Sequence, residues 1–311
     1  MDVLCAGELL VDLASTAPAA SLAEAQAFAP HPGGSPANLA ANLARLGKRA
    51  GLVAAVGRDS FGESLLRYVG SLGLGAPLVA RSEDLPSTVV LVTQTTGTPD
   101  FEVYRGADVE LPWSALAEGL AARPRVLHTT CFALSGLPAR SHLLRAAAAF
   151  AKTGGTLSLD ANYAEKVWPD RDRAREIVRR WAGYGALVKV SEDDWGRLYG
   201  QDLTPDNCGA RTADLLAAGA RAVCCTFGGE GAAVVSADGV ARVAPEPVEI
   251  VDATGAGDSF WAGFLAAFVD GRDLASCARV GAAVAAVKLR QRGPLKHALD
   301  YTALVELPPK D

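Results

Sequence analysis

The sequence predicts an α/β protein: a mainly parallel sheet covered by helices on both faces, three layers deep, with a smaller β element inserted near the front. Three observations predict it. Strand and helix signals alternate along almost all of the chain, the pattern of a parallel sheet with crossover helices. One hairpin, at Ser87–Tyr104, breaks that rhythm. The 311 residues, half of them hydrophobic and 21% charged, suffice for a large core without disulfide staples.

The elements follow in order. Val3–Ala6 is a short apolar strand. Ser35 then caps a helix whose first position is Pro36; Leu39, Leu43 and Leu46 recur at i, i+4 and i+7, and Gly47 ends it. Leu52–Val56 is the next strand and Phe61–Leu72 the next helix. Ser87–Gln94 and Phe101–Tyr104 are rich in β-branched and aromatic residues and flank a Thr96-Gly97-Thr98-Pro99 turn, a hairpin that does not belong to the parallel rhythm and is a candidate lid. Strands are expected at Arg125–Thr130, Thr156–Asp160, Leu187–Val190 and Ala222–Thr226. Helices are expected at Ala139–Lys152, Arg171–Ala182, Asp193–Tyr199 and Asn207–Ala217. Ala232–Ser236 and Val240–Val243 flank Asp238-Gly239, a hairpin signal. Two Ala-rich helices, Ala256–Val269 and Leu274–Leu289, close the chain. Ligands of such folds sit at the carboxyl ends of the strands.

Composition excludes several classes. Thirty basic against 35 acidic residues give a net charge of −5, which argues against nucleic-acid binding through phosphate neutralisation. No run of about 18 apolar residues exists to span a membrane, and Asp2, Glu8 and Asp12 interrupt the only early apolar run, so no secretory signal is read. The six cysteines lack CxxC spacing and read as reduced, mostly buried thiols of a cytoplasmic protein. The four histidines form no zinc pattern.

The strongest chemical signal is Val251-Asp252-Ala253-Thr254-Gly255-Ala256-Gly257-Asp258-Ser259-Phe260, expected between a strand at Val248–Val251 and a helix. Gly255 and Gly257 remove side chains where backbone must approach a ligand, and the first amides of the helix form an anion hole. Asp258 places a carboxylate in the same turn. That combination suits phosphoryl transfer to a hydroxyl, with Asp258 as the proton acceptor. An isolated GAGD also reads as an ordinary Gly-rich turn; the longer string favours chemistry. No GxxxxGK[ST], no GxGxxG after the first strand and no GxSxG occur, which weakens the P-loop, dinucleotide-binding and hydrolase readings.

Asp252–Asp258 resembles the carboxy-terminal signature of the ribokinase-like (PfkB-type) carbohydrate kinases, and His31-Pro32-Gly33-Gly34-Ser35-Pro36-Ala37-Asn38-Leu39-Ala40 resembles their amino-terminal signature. Gly57–Gly62 and Leu187–Gly200 also fit, so the resemblance spans nearly the whole chain. It implies one ribokinase-like domain over 1–311 with a small β-sheet lid, formed by about 12–32 and 84–108, through which many members pair as homodimers. It implies ATP and Mg2+, with Asp258 as catalytic base and the amides of Gly255, Ala256 and Gly257 as anion hole. Asp12, Gly33, Gly34, Asn38, Tyr104, Arg105 and Asn162 would surround the sugar. Lys189, Ser191, Asp194, Thr226, Gly228 and Gly231 would lie near the nucleotide. Ser191 and Asp194 are shorter than the Asn and Glu usual there, which suits water-mediated contact with magnesium, and the acidic run also reads as a helix cap. Asp252, Thr254 and Gly293 match a monovalent-cation site; the Lys288–Arg292 segment beside it is basic, so dependence on K+ stays open at this point. Asp160–Trp168 departs from the family pattern: Ala161 replaces a proline, and Ala164 replaces an arginine that handles phosphate, with Lys166 as a candidate substitute. GELLVDL and FEVYRGAD look most like fructokinases. The alternatives are 2-keto-3-deoxygluconate kinase, another sugar kinase of the family, and a sugar- or nucleotide-binding pseudokinase.

Overall fold

The computed structural model describes residues 1–74, 77–94 and 100–306. Its strands are β1 (Val3–Ala6), β2 (Leu10–Pro18), β3 (Phe28–Gly33), β4 (Ala50–Gly57), β5 (Leu78–Ser82), β6 (Val89–Gln94), β7 (Phe101–Tyr104), β8 (Val126–Thr130), β9 (Thr156–Asp160), β10 (Leu187–Ser191), β11 (Ala222–Thr226), β12 (Ala232–Ser236) and β13 (Gly239–Val243). Among the described residues a nine-stranded sheet runs β13-β12-β11-β10-β9-β8-β1-β4-β5. It is parallel from β11 to β5 and antiparallel at the β11-β12-β13 edge.

Alternation along each strand builds two cores, one per face, because successive side chains point to opposite sides. Leu4 and Ala6 of β1 join Leu127, Leu159 and Val188 under the helices Ala139–Ala151 and Arg171–Ala182, where Leu143, Ile177 and Trp181 are fully buried. Val3 and Cys5 face the other way, with Leu52, Ala54, Leu187 and Cys224. They meet Leu39 and Leu43 of helix Ser35–Arg45, Phe264 of Ala256–Val269 and Val284 of Leu274–Leu289. All six cysteines are free and buried. Among the described residues no helix is long and apolar enough to cross a membrane.

The anomalous hairpin is real and stands outside the main sheet. β6 and β7 pair antiparallel, Val89 opposite Tyr104, and join β2 and β3 in a separate four-stranded sheet of order β3-β2-β6-β7. The Thr96–Pro99 turn lies outside the described residues. β2 pairs with β3 from Leu10↔Gly33 to Ser15↔Phe28. Pro30 and Pro32 sit on β3 because it is an edge strand, where a missing amide proton does not break a ladder.

Three expectations need correction. Ser35 does not cap its helix: Gly34 holds that place without a side-chain cap bond, and the Ser35 hydroxyl goes to Asp258 instead. Residues 248–251 form no strand: the amide of Val251 bonds the carbonyl of Leu289, and Ile250 and Val251 are 64% and 50% exposed, so this segment packs no β-branched face against a core. The single helix expected over 207–217 is two short pieces, Cys208–Arg211 and Ala213–Ala217. Buried Thr212 separates them, its hydroxyl returning to the carbonyl of Cys208.

The last two long helices touch through glycine. A Cβ on Gly263 would lie 2.8 Å from both the carbonyl oxygen of Val280 and Cγ2 of Val284. Gly263→Ala should therefore destabilise the protein by about 1–3 kcal/mol through overpacking. Gly70→Ala, in helix Ser60–Ser71 with no atom within 4 Å of the new methyl, should stabilise it by about 0.5–1 kcal/mol; urea unfolding of the two variants measures the contrast.

Candidate active site

The amino-terminal and carboxy-terminal motifs, far apart in sequence, meet where helices Ser35–Arg45 and Ala256–Val269 begin. Asp258 is the junction. Ser35 donates its hydroxyl to Oδ1 at 2.6 Å, and Asn38 donates Nδ2 to Oδ2 at 2.9 Å. One turn further on, Nδ2 of Asn42 reaches the hydroxyl of Ser259 at 3.2 Å. Gly255 is the residue before the second helix and has φ 75°, a left-handed turn that aims the following amides outward. The Ala256 amide closes this turn onto the carbonyl of Ala253. The amides of Gly257 and Asp258, in the first turn, have no carbonyl of their own helix to meet.

Close approach explains the paired glycines. A Cβ on Gly34 would lie 2.3 Å from the carbonyl oxygen of Glu8, and one on Gly33 would lie 2.1 Å from Oδ2 of Asp12. Gly34 therefore packs on the backbone of Glu8, and Gly33 on the side chain of Asp12 in β2, which lies beside the Asp258 corner.

The electrostatics of that corner are unusual. Burial pushes the Asp12 carboxyl up to about 7, helped by the like charge of Asp258. Burial likewise raises Asp258 to about 6, with Asp160 adding to the rise and the Ser35 and Asn38 hydrogen bonds opposing it. Glu8, fully enclosed, is raised by burial to about 8; it accepts from the Thr130 hydroxyl at 2.7 Å and the Ser35 amide at 3.3 Å. Beneath the Gly255–Asp258 turn lies the Lys189 ammonium. It bonds both oxygens of Asp160, at 3.0 and 2.8 Å, and a Cβ on Gly257 would lie 3.3 Å from it. Burial works against its charge, but Asp160, Asp194 and Asp258 outweigh burial and hold it above the ordinary lysine value.

The residues assigned to the nucleotide gather at the carboxyl ends of β10 and β11, where Ser191 and Thr226 are register partners. The hydroxyl of Ser191 accepts from the Asp194 amide at 3.0 Å and donates to its carboxylate at 2.5 Å, capping helix Glu192–Tyr199. Burial raises Asp194 to about 6, with Lys189 opposing the rise. Gly228 lies across from Glu192, whereas Gly231 is needed for packing, since a Cβ there would meet the Val243 carbonyl at 2.2 Å.

On the small-sheet side, Arg105 does not point free. Its guanidinium forks onto the buried Asp108 at 3.1 and 2.5 Å, donates to the Ser135 hydroxyl at 2.6 Å and covers the Phe132 ring. Tyr104, also expected at the sugar, is 62% exposed. Asn162 accepts from the Phe132 amide at 3.3 Å. Lys166 grips the β7 end of the small sheet, donating to the Phe101 carbonyl at 2.6 Å, Glu102 at 3.2 Å and Asp100 at 3.3 Å.

The residues assigned to a monovalent cation lie beside the Asp258 turn. Asp252 accepts from the amides of Thr254 and Gly293, both at 2.9 Å. The Lys288 ammonium lies 2.8 Å from the Asp252 carbonyl, 3.3 Å from its carboxylate and 3.4 Å from the Gln291 carbonyl.

The family model for pfkB family carbohydrate kinases matches residues 1–299. The chain belongs to this family. Sequence relatives include the ATP-dependent 6-phosphofructokinase of Thermoanaerobacterium thermosaccharolyticum, 33% identical over 310 residues, covering 100% of this chain and 92% of that protein. Among solved structures, Halothermothrix orenii fructokinase is 32% identical with a TM-score of 0.76, over 90% of this chain and 96% of the other. The Vibrio cholerae O395 fructokinase, in its fructose, ADP and calcium ion bound form, is 25% identical with a TM-score of 0.83, over 97% of both chains. This PfkB protein is accordingly an ATP-dependent sugar phosphotransferase with the ribokinase-like three-layer fold.

Four site groups escaped the sequence reading. Glu8 and Ser35 stood inside the recognised motifs but only the fold brings them against Thr130 and Asp258. Asp160 was legible as the start of Asp-x-Asn, yet its partner Lys189 lies on the next strand of the sheet, register-paired with it. Lys288 was seen only as part of a basic segment. Asp258→Asn should lower the Asp12 titration midpoint from about 7, because it removes the neighbouring like charge; carbon-13 NMR of the carboxylates follows the change.

Proposed function

We propose that the chain phosphorylates a hydroxyl of a small neutral sugar, fructose above all, with Asp258 as the general base. The observation that carries this is the Asp258 carboxylate, fixed by Ser35 and Asn38 at a helix start and raised to about 6. A base with that value is ionised at neutral pH yet still basic enough to take a hydroxyl proton as the phosphoryl group arrives. The amides of Gly255 and Gly257, together with the helix start, would face the charge on the transferring group; the Ala256 amide, expected to join them, is taken by the Ala253 carbonyl. Asp12, Gly33, Gly34 and Asn38 would hold the sugar, joined by Asn162. Ser191, Asp194, Thr226 and Gly228 would line the nucleotide side, with Lys189 and Gly231 supporting them from within.

The small sheet would act as a lid, its segments about 12–32 and 84–108 excluding water as they cover the sugar. Magnesium would arrive with the ATP phosphates and neutralise charge on them. Among the described residues no cluster of three His, Cys, Asp or Glu side chains is placed to hold a metal. Asp194 is the carboxylate this chain offers, which suits an ion that keeps most of its water and binds chiefly to phosphate.

Fructose is supported by the likeness to two fructokinases. The relative named as a 6-phosphofructokinase favours a second reading, fructose 6-phosphate. The cations argue for the neutral sugar: Arg105 is matched by Asp108, and Lys166 by Asp100 and Glu102. Neither is left to meet a second phosphate.

ADP release measured across fructose, fructose 6-phosphate and 2-keto-3-deoxygluconate tests the assignment, with fructose expected to have the highest kcat/KM. A clear preference for either anionic acceptor would replace it. Asp258→Asn should lower kcat by about 10²–10⁴ while moving the sugar KM little. For the wild type, kcat/KM should fall as pH drops through about 6–7, because protonating Asp258 and Asp12 removes the base and a sugar ligand.

A further inference from the structure

Lys288 sits in the last turn of helix Leu274–Leu289 and is buried, its side chain 1% exposed. A lysine ammonium is costly to bury unless oxygens replace its water. Here the replacements are the Asp252 carbonyl at 2.8 Å, the Asp252 carboxylate at 3.3 Å and the Gln291 carbonyl at 3.4 Å. These oxygens belong to the two backbone segments that flank the Gly255 turn. The same Asp252 carboxylate binds the amides of Thr254 and Gly293, and the Leu289 carbonyl takes the amide of Val251. The ammonium thus ties segment 251–254 to segment 289–293, directly before the residue that opens the helix of Asp258.

The residues that resemble a potassium site do not fit a free ion in this chain. An alkali cation seated on Asp252, Thr254 and Gly293 would lie against the Lys288 ammonium, and two like charges that close repel strongly in a half-buried site. The charge is already present, covalently attached.

We propose that Lys288 is a tethered monovalent cation that positions the turn Asp252–Gly255, so that phosphoryl transfer in this kinase needs no added potassium. Lys288 acts through Asp252 on the backbone of the anion hole and touches neither sugar nor ATP, which makes it a positioning residue. The proposal rests on the reading of this turn as the phosphoryl-transfer site.

The test compares wild type, Lys288→Ala and Lys288→Met in potassium chloride and in choline chloride at equal ionic strength. Choline is too large for a site of this size. Wild-type kcat and Tm should be the same in both salts. Lys288→Ala in choline should lose about ten-fold or more in kcat, because the Asp252 oxygens are left without a cation; potassium or methylammonium should restore both kcat and Tm. Lys288→Met fills the space without charge and should be impaired in every salt. A wild type activated several-fold by potassium would overturn the proposal, as would a Lys288→Ala protein that keeps full activity in choline. So would one that neither cation rescues while its Tm is unchanged. Tm needs no turnover: a wild type inactive on every sugar would refute the functional reading, while the salt dependence of Tm would still decide the role of Lys288.

Discussion

The contact on which the site depends is the pair of hydrogen bonds that Ser35 and Asn38 make to Asp258. It joins the starts of two helices on one face of the sheet, and it fixes the orientation of a carboxylate that would otherwise rotate freely. Both helices are fixed first by packing: Leu39 and Leu43 from one and Phe264 from the other share a core with β1 and β4. The hydrogen bonds then have little freedom left to remove, which is why two short polar contacts suffice to hold the carboxylate.

The surroundings of that carboxylate are rich in charge, with Glu8, Asp160 and Lys189 buried and Asp12, Asp194 and Asp258 half-buried. Glu8, Asp12, Asp160, Asp194 and Asp258 converge, and the fold answers with two enclosed ammonium groups rather than with surface cations. Lys189 lies under the turn and bonds Asp160; Lys288 lies behind it and bonds Asp252. Each is held by oxygens in fixed places, so the field at the helix start is built into the protein. Removing either partner of such a pair leaves a bare charge in a poor solvent, a far larger effect than losing a surface ion pair.

The small sheet is anchored at its base by a separate polar set. Asp59 accepts from both the amide and the hydroxyl of Ser87, and Asp108 gathers Thr88 and Arg105 where the hairpin leaves and returns. Lys166 reaches its outer strand from the main body. These contacts account for Gly57–Gly62 as a structural motif: it places Asp59 where it caps a helix and holds the first residue of the insertion.

Much of this protein was legible without coordinates. The alternation of strands and helices, the misfit hairpin and the two glycine-bearing motifs are local patterns, and local patterns depend on periodicity and backbone conformation that neighbours in sequence dictate. Asp258 could be named from its own glycine-bearing turn, whereas Asn38 and Asp12 could be named only through the family resemblance of the motifs that hold them. Pairing was not legible. Nothing near residue 105 says that its guanidinium goes to Asp108 and Ser135, nothing near 166 that its ammonium goes to β7, and nothing near 288 that a lysine at a helix end is enclosed by the oxygens of residues 252 and 291. The β-branched segment at 248–251 carried a strand signal and formed none, because its side chains stay exposed and β-propensity depends on packing against neighbours. Composition and spacing determined the layers and the chemical groups on offer. Which charge faces which was decided only by the tertiary structure, since electrostatic partners are set by distance in space and by exclusion of water, and neither is a property of a local stretch of chain.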